Sequence, residues 1–228
     1  MIADERRAEI LAVAQRLFYA QGYESTSIAE IIEQAGIAKG TFYHHFASKA
    51  ELVESLVQQG IQQLLPHYQR VAQQPGLTPL QRMQAYFDIS AGWKSANIEL
   101  LVASLQALYR DENLVLRRRM VERTVREFGG YFDVTVAEGV AAGVFQTPFA
   151  DRLGRFLLVV MAGVGDAEGR ELAAAVDEPD RLDEFAAVHT LLEHTINRLL
   201  GLPERTISLG ADKILARLRQ YLQQEQRA

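Results

Sequence analysis

Thr26-Ser27-Ile28-Ala29-Glu30-Ile31-Ile32-Glu33-Gln34-Ala35-Gly36 opens a run that continues Ile37-Ala38-Lys39-Gly40-Thr41-Phe42-Tyr43-His44-His45-Phe46-Ala47-Ser48-Lys49-Ala50-Glu51-Leu52. Ile28, Ile31 and Ile32 recur at helical spacing and give a short helix one apolar side. Ser27 and Glu30 have capping-box spacing; Thr26 and Glu30 do not. Gly36 interrupts the helix, and helical character resumes at Ile37 or Ala38 and runs to Phe46. Phe42 and Phe46 lie four apart and face one small core. Lys39, Thr41, Tyr43, His44 and, at the far end, His45 occupy the other face. Gly40 permits a close backbone approach. Ser48 and Glu51 start a further helix carrying Leu52, Leu56 and Leu64; Pro66 either bends that helix or lies near its end. Upstream, Ile10, Val13, Ala14, Leu17 and Phe18 form another helical stripe, which Gly22 is expected to stop as a C-cap.

Two short helices around a glycine turn make a helix-turn-helix. The outward side chains of the second helix offer hydrogen-bond donors and a charge. They suit phosphate contacts and a few base edges in a major groove. Helix lengths, the turn glycine, Gly-Thr-Phe-Tyr-x-His-Phe and the Lys-x-Glu-Leu start of the next helix resemble the DNA-binding domain of the TetR family of bacterial transcriptional regulators. The resemblance covers about Arg7 to Leu56. It implies that Thr26 or Ser27 touches a backbone phosphate and that Lys39, Gly40, Thr41, Tyr43 and His44 lie on the recognition helix. Tyr43 and His44 would then enter the groove, and Thr41 would read a thymine methyl. Lys49 would bind a second phosphate.

The charge balance constrains this reading. The 228 residues are 48% hydrophobic and carry a net charge of −5, which argues against a globally basic nucleic-acid binder. Residues 1–55 hold five Lys/Arg and eight acids, yet Ile37 to Ala50 has two Lys, two His and no acid. The basic character is local, few phosphates are neutralised per subunit, and binding should need two subunits and weaken with salt. The absence of Cys excludes disulfides, thiolate metal sites and Cys nucleophiles. No leader and no spanning segment of about 20 apolar residues is visible, so a cytoplasmic location without membrane attachment is expected.

Beyond Leu56 the pattern stays helical. Leu80, Met83, Tyr86 and Phe87 form a stripe that Ser90, Gly92 and Trp93 are expected to end or loosen. Ile98 to Leu108 and Asn113 to Val144 continue it. Phe149 to Gly163 and Leu182 to Leu200 are more apolar than one buried face requires, so they either form a dimer interface or sit centrally in one subunit. Gly163 to Asp183 reads as a polar, acidic, Gly-rich span. Ala211 to Gln226 is a last amphipathic helix. The tail from Pro203 either packs back on the chain or widens a dimer contact, and it could fray after Tyr221.

An all-α protein is therefore expected. Residues 1–54 would be a three-helix, helix-turn-helix DNA-binding domain, joined by a connecting helix to a helical effector-binding and dimerisation domain, 55–228. Tyr86, Phe87, Trp93, Leu101, Leu105, Tyr109, Phe128, Phe132 and Met161 are candidates for an effector pocket, each competing with a plain core role. Arg117 to Arg126 is either a solvated face or an anion-attracting patch. His189, Glu193 and His194 are too few on one face for a metal. No phosphate loop, zinc signature or nucleophile elbow occurs, so no cofactor, metal or enzymatic activity is expected. The expected role is a ligand-responsive homodimeric regulator, a repressor of a palindromic double-stranded DNA operator released by a small apolar or amphipathic effector. The alternative is a helical ligand-binding or protein-interaction module without an operator.

Overall fold

The structure is a computed structural model and describes residues 2–109, 113–175, 178 and 181–225. Ten helices account for the regular structure among the described residues: α1 (Ile2–Ser25), α2 (Ile28–Gln34), α3 (Lys39–His45), α4 (Lys49–Gln73), α5 (Pro79–Ala96), α6 (Ile98–Leu108), α7 (Leu114–Ala141), α8 (Leu153–Ala174), α9 (Arg181–Leu199) and α10 (Ala211–Glu225). No strand occurs among those residues. None of the helices searched is long and apolar enough to cross a membrane.

The chain divides into two compact units: Met1–Gly60 with Glu99–Met120, and Ile61–Ile98 with Val121–Ala228. The division falls at Gly60, inside α4, later than the boundary at residue 54 read from sequence, and it assigns 99–120 to the first unit.

In the first unit, α1 packs on α2 and α2 on α3. Ile10, Leu11, Ala14, Leu17, Phe18, Ile31, Phe42, Phe46, Leu52, Val53 and Leu56 are buried. The same unit holds most of α6, whose Leu100, Val102, Ala103, Leu105, Ala107 and Leu108 are buried. The C-terminal carbonyls of α6 would otherwise lack partners. Asn113 Nδ2 donates to the Ala107 carbonyl at 2.7 Å, and Arg117 Nη1 donates to the Leu108 carbonyl at 3.0 Å.

In the second unit, α8 packs on α9, while α10 packs on α5 and α9. The chain from Pro203 packs back on its own unit. Asn197, fully buried, donates to the Ile207 carbonyl and accepts from the Ile207 amide. Gln84 on α5 makes the same two-way exchange with the backbone of Ser208.

Several helices outlast their sequence signals. Gly22 does break the helical run, as its position suggests: at φ 80° and ψ 166° it is non-helical, and a short second helical segment carries α1 on to Ser25. α5 runs past Ser90, Gly92 and Trp93 to Ala96, because Tyr86, Phe87 and Ala91 bury one side of it. α8 starts at Leu153 and runs past Gly163, where the sequence reading ended it, through Gly165 to Ala174, inside the span read as polar, acidic and Gly-rich. Each interior glycine costs about 1 kcal/mol against alanine, less than the burial gained by packing α8 on α9. Val176, Asp177, Pro179 and Asp180, in the rest of that span, lie outside the described residues. Pro66 sits within α4.

An aromatic cluster marks the second unit's interior. Tyr68 stacks on Tyr86 with ring centroids 4.8 Å apart and an interplanar angle of 2°. Burial pushes the Tyr68 phenol up to about 12, against a smaller lowering by its hydrogen bond to Ser90. The unfolded chain loses this proton first, near the ordinary value of 10.0. The resulting stability is therefore complete below that value and is lost as pH rises through the folded one. Urea unfolding of the protein is expected to become easier between pH 10 and about 12, and Tyr68→Phe should flatten that dependence.

Candidate nucleic-acid interface

The α1–α2 joint sets the frame. Gly22 has φ 80° and ψ 166°, a region open essentially to glycine alone. The kink turns Thr26 inward. Thr26 is 1% exposed, and its hydroxyl donates to the Gly22 carbonyl at 2.8 Å. Ser27 stays exposed and caps α2, its Oγ accepting from the Glu30 amide at 3.1 Å. The Glu30 carboxylate accepts from Gln21 Nε2 at 2.8 Å instead of reaching back to close a capping box.

α2 ends at Gly36, whose φ of 61° allows the chain to reverse. The Gly36 amide donates to the Glu33 carbonyl and the Ile37 amide to the Ile32 carbonyl. This is the paired hydrogen bonding of a Schellman termination. α3 follows at once. Phe42 and Phe46 point into the core at 0% and 1% exposure. Tyr43 is 48% exposed and braced edge-on against Phe42, with centroids 5.3 Å apart. Lys39, Gly40 and His44 are exposed, while Thr41 and His45 are half-buried. The Lys39 ammonium lies 6.0 Å from the Tyr43 ring centroid.

Gly40 is helical, and a Cβ added there meets nothing within 4 Å. No contact inside the protein therefore requires glycine. Gly40→Ala is expected to raise folding stability by about 0.5–1 kcal/mol and, if α3 enters a groove, to weaken duplex binding, because the methyl would stand between the two backbones. Urea melts and a duplex titration check the two signs together; stronger duplex binding would show that nothing approaches this backbone.

Lys49 does not present its ammonium to solvent as a free end. Nζ donates to the Tyr23 carbonyl at 2.7 Å and the Thr26 carbonyl at 2.8 Å, and it lies 4.1 Å from the Tyr23 ring centroid. Thr26, the alternative to Ser27 at one phosphate, and Lys49, expected at another, thus face the joint they stabilise. Next to them, Ser48 Oγ accepts from the Glu51 amide, and Glu51 Oε2 accepts from the Ala47 amide at 2.6 Å. Arg7 ties α1 to this region through Ser55 Oγ at 2.7 Å and stands 4.8 Å from the Phe46 ring centroid. Arg16, given no role from sequence, is exposed on α1 and reaches Gln34 at the end of α2 at 3.3 Å.

The candidate effector residues fall in both units. Leu101, Leu105 and Tyr109 belong to the first; Tyr86, Phe87, Trp93, Phe128, Phe132 and Met161 belong to the second. The structure joins Tyr86 and Phe87 to Phe132, each at 5.6 Å between centroids, and Phe128 to Tyr68 at 4.5 Å. Trp93 and Met161 are half-buried. Sequence reading missed Tyr68, Arg82, Tyr131 and Thr135 around this cluster. Their only signal was helical register with the aromatics already named. Arg117 is held at the end of α6, 4.9 Å from the Tyr109 ring centroid. His194 faces Glu204 at 3.4 Å, and Glu193 accepts from the Leu209 amide at 3.0 Å.

Residues 10–56 match the family model described as bacterial regulatory proteins, tetR family. The repressor KstR2 of Mycobacterium tuberculosis is 36% identical over 84 residues, 37% of this chain. The match spans 42% of that relative's length. The solved structure of a TetR/AcrR-family transcriptional regulator from Thermobifida fusca aligns with a TM-score of 0.54 at 25% identity, covering 73% of this chain and 85% of that one. The FadR repressor of Thermus thermophilus, solved in complex with lauroyl-CoA, shares the fold with a TM-score of 0.59 at 22% identity, covering 82% of this chain and 93% of that one.

Proposed function

Since the chain belongs, through residues 10–56, to the tetR family of bacterial regulatory proteins, we propose that it is a ligand-responsive transcriptional regulator. It acts without catalysis, as a homodimer in the cytoplasm, and represses by occupying a palindromic operator. The observation that carries the reading is α3. Its two phenylalanines are sealed inward, and Lys39, Gly40, Tyr43 and His44 stand on the outside. Tyr43 and His44 read base edges, Thr41 meets a thymine methyl, and Lys39 and Ser27 hold phosphates.

Two such heads are needed to read two half-sites. Phe156 and Val159 on α8 and Leu191 on α9 are 52%, 50% and 65% exposed on helices that pack together. This apolar surface supports a two-fold dimer built from α8 and α9. The DNA-binding domain is 1–54, and the remainder binds the effector and the second subunit. The effector is a small apolar or amphipathic molecule, as the aromatic cluster of the second unit suggests. α4 contributes residues to both units. An effector that favours one conformation of the second unit therefore acts on the reading head through a shared helix.

Selection of bound duplexes from a random pool tests this reading. An inverted repeat should be enriched, with affinity falling steeply as salt rises. Tyr43→Ala should weaken the selected site about 10- to 100-fold and relax preference at one position per half-site. The melting temperature should hold, because this ring is half exposed. A pool that emerges unenriched would refute the operator.

A further inference from the structure

Between α9 and α10 the chain lies outside any helix over 207–210, so its backbone groups need partners from elsewhere. Side chains of two different helices supply them. The Ile207 amide donates to Asn197 Oδ1 at 2.8 Å, and Asn197 Nδ2 donates to the Ile207 carbonyl at 2.9 Å. The Ser208 amide donates to Gln84 Oε1, and Gln84 Nε2 donates to the Ser208 carbonyl, both at 2.9 Å. The Leu209 amide donates to Glu193 Oε2 at 3.0 Å. The partners alternate, since Asn197 and Glu193 stand on α9 and Gln84 stands on α5. Ile207 and Leu209 are buried, so the segment is packed as well as bonded. Gly210 follows with φ 76°, and a Cβ there would stand 2.6 Å from that of Ala91 on α5. α5 is bonded a second time by Tyr68 of α4, whose Oη donates to the Tyr86 carbonyl at 2.9 Å and pairs with Ser90 Oγ at 2.7 Å.

We propose that Ile207, Ser208 and Leu209 form a tie that fixes α5 against α9 and thereby sets the spacing of the two half-sites read on DNA. The inference rests on the regulator reading above, with α8 and α9 carrying the second subunit. A side-chain amide holds a donor and an acceptor in one plane. Exchanging both bonds with a single residue's backbone therefore fixes that backbone in place and in orientation. Two such exchanges on consecutive residues, one from each helix, leave α5 and α9 little freedom to slide past each other. The links run without a break. Tyr68 joins α4 to α5, Gln84 joins α5 to Ser208, and Asn197 and Glu193 join the neighbouring residues to α9. A contiguous bonded network of this kind can carry a displacement between remote elements. Two reading heads need a fixed separation, because half-sites repeat at the pitch of the duplex. Gln84, Asn197 and Glu193 are positioning residues in this scheme.

Gln84→Ala tests the tie on the full chain. Its bonds to Ser208 are exposed, so the freed backbone groups can turn to water and the fold should persist. Amide-resolved hydrogen exchange without DNA should show Ser208 exchanging about tenfold faster, with Ile207 and Leu209, whose partners are on α9, following by a similar factor. Gln84→Glu keeps the acceptor for the Ser208 amide and should restore most of the protection. Acceleration confined to Ser208 would overturn the tie. The second consequence is read by selection from a duplex pool in which the same half-sites are separated by different spacers. The unaltered protein should favour one spacing. Gln84→Ala should stay dimeric, keep its half-site sequence and accept several spacings, binding the original one about three- to tenfold more weakly. An unchanged spacing preference, or loss of the dimer, would overturn the role in spacing. The two readings fail separately. Coupled exchange with no duplex selected by the unaltered protein removes the regulator and the spacing role with it; duplex selection with uncoupled exchange removes the tie alone.

Discussion

Leu191→Glu is expected to leave the protein monomeric and to weaken duplex binding about 100-fold or more. Leu191 is 65% exposed on α9, next to α8 with its exposed Phe156 and Val159. Exposure on this scale means that the substitution removes little packing within the protomer, so its thermal unfolding as a monomer should hardly change. In a two-fold interface each carboxylate would be buried against apolar partners and a like charge, at a cost of several kcal/mol per ion. A separated subunit offers one short recognition helix and Lys39 as its charged groove residue, which neutralises few phosphates. Sedimentation and a duplex titration on the same sample check both effects. A dimeric variant with full duplex affinity would move the interface away from α8 and α9.

Lys49→Met is expected to lower folding stability by about 2–3 kcal/mol while leaving the salt dependence of duplex binding unchanged. Its ammonium makes two charge-assisted hydrogen bonds, to the Tyr23 and Thr26 carbonyls, and bonds of this kind contribute about 1.5–3 kcal/mol each before compensation. Methionine keeps the stem but leaves both carbonyls without this donor. The joint around Gly22 should loosen and Ser27 should lose its fixed position at the start of α2. A lysine on a phosphate behaves otherwise: its loss reduces the slope of log affinity against log salt by about 1 and leaves the melt alone. Measuring slope and melt together separates the roles. A shallower slope with an unchanged melting temperature would return Lys49 to the DNA backbone.

The inward and outward faces of α3 were legible in the sequence because a helix converts spacing directly into direction. Phe42 and Phe46, four apart, share a face, and Tyr43 next to them cannot lie on it. Ser27 and Gly36 were legible for a related reason, since caps and terminations depend on residues only a few positions away. Gly92, Gly163 and Gly165 misled, because a glycine's local cost is smaller than the packing of the helix around it. Thr26 and Lys49 could not be placed from sequence either. Their side chains are free at both positions until the α1–α2 joint closes over the start of α4.

Local periodicity by itself settled that this chain is helical, where α3 lies and which of its side chains face out, since those follow from bonds and spacings within a turn or two. Only the tertiary structure decided that Lys49 serves the joint at Tyr23 and Thr26, and that Tyr68 stacks on Tyr86 and bonds its carbonyl. Those outcomes depend on which remote helices meet, and burial then determines which polar atoms find partners and which do not.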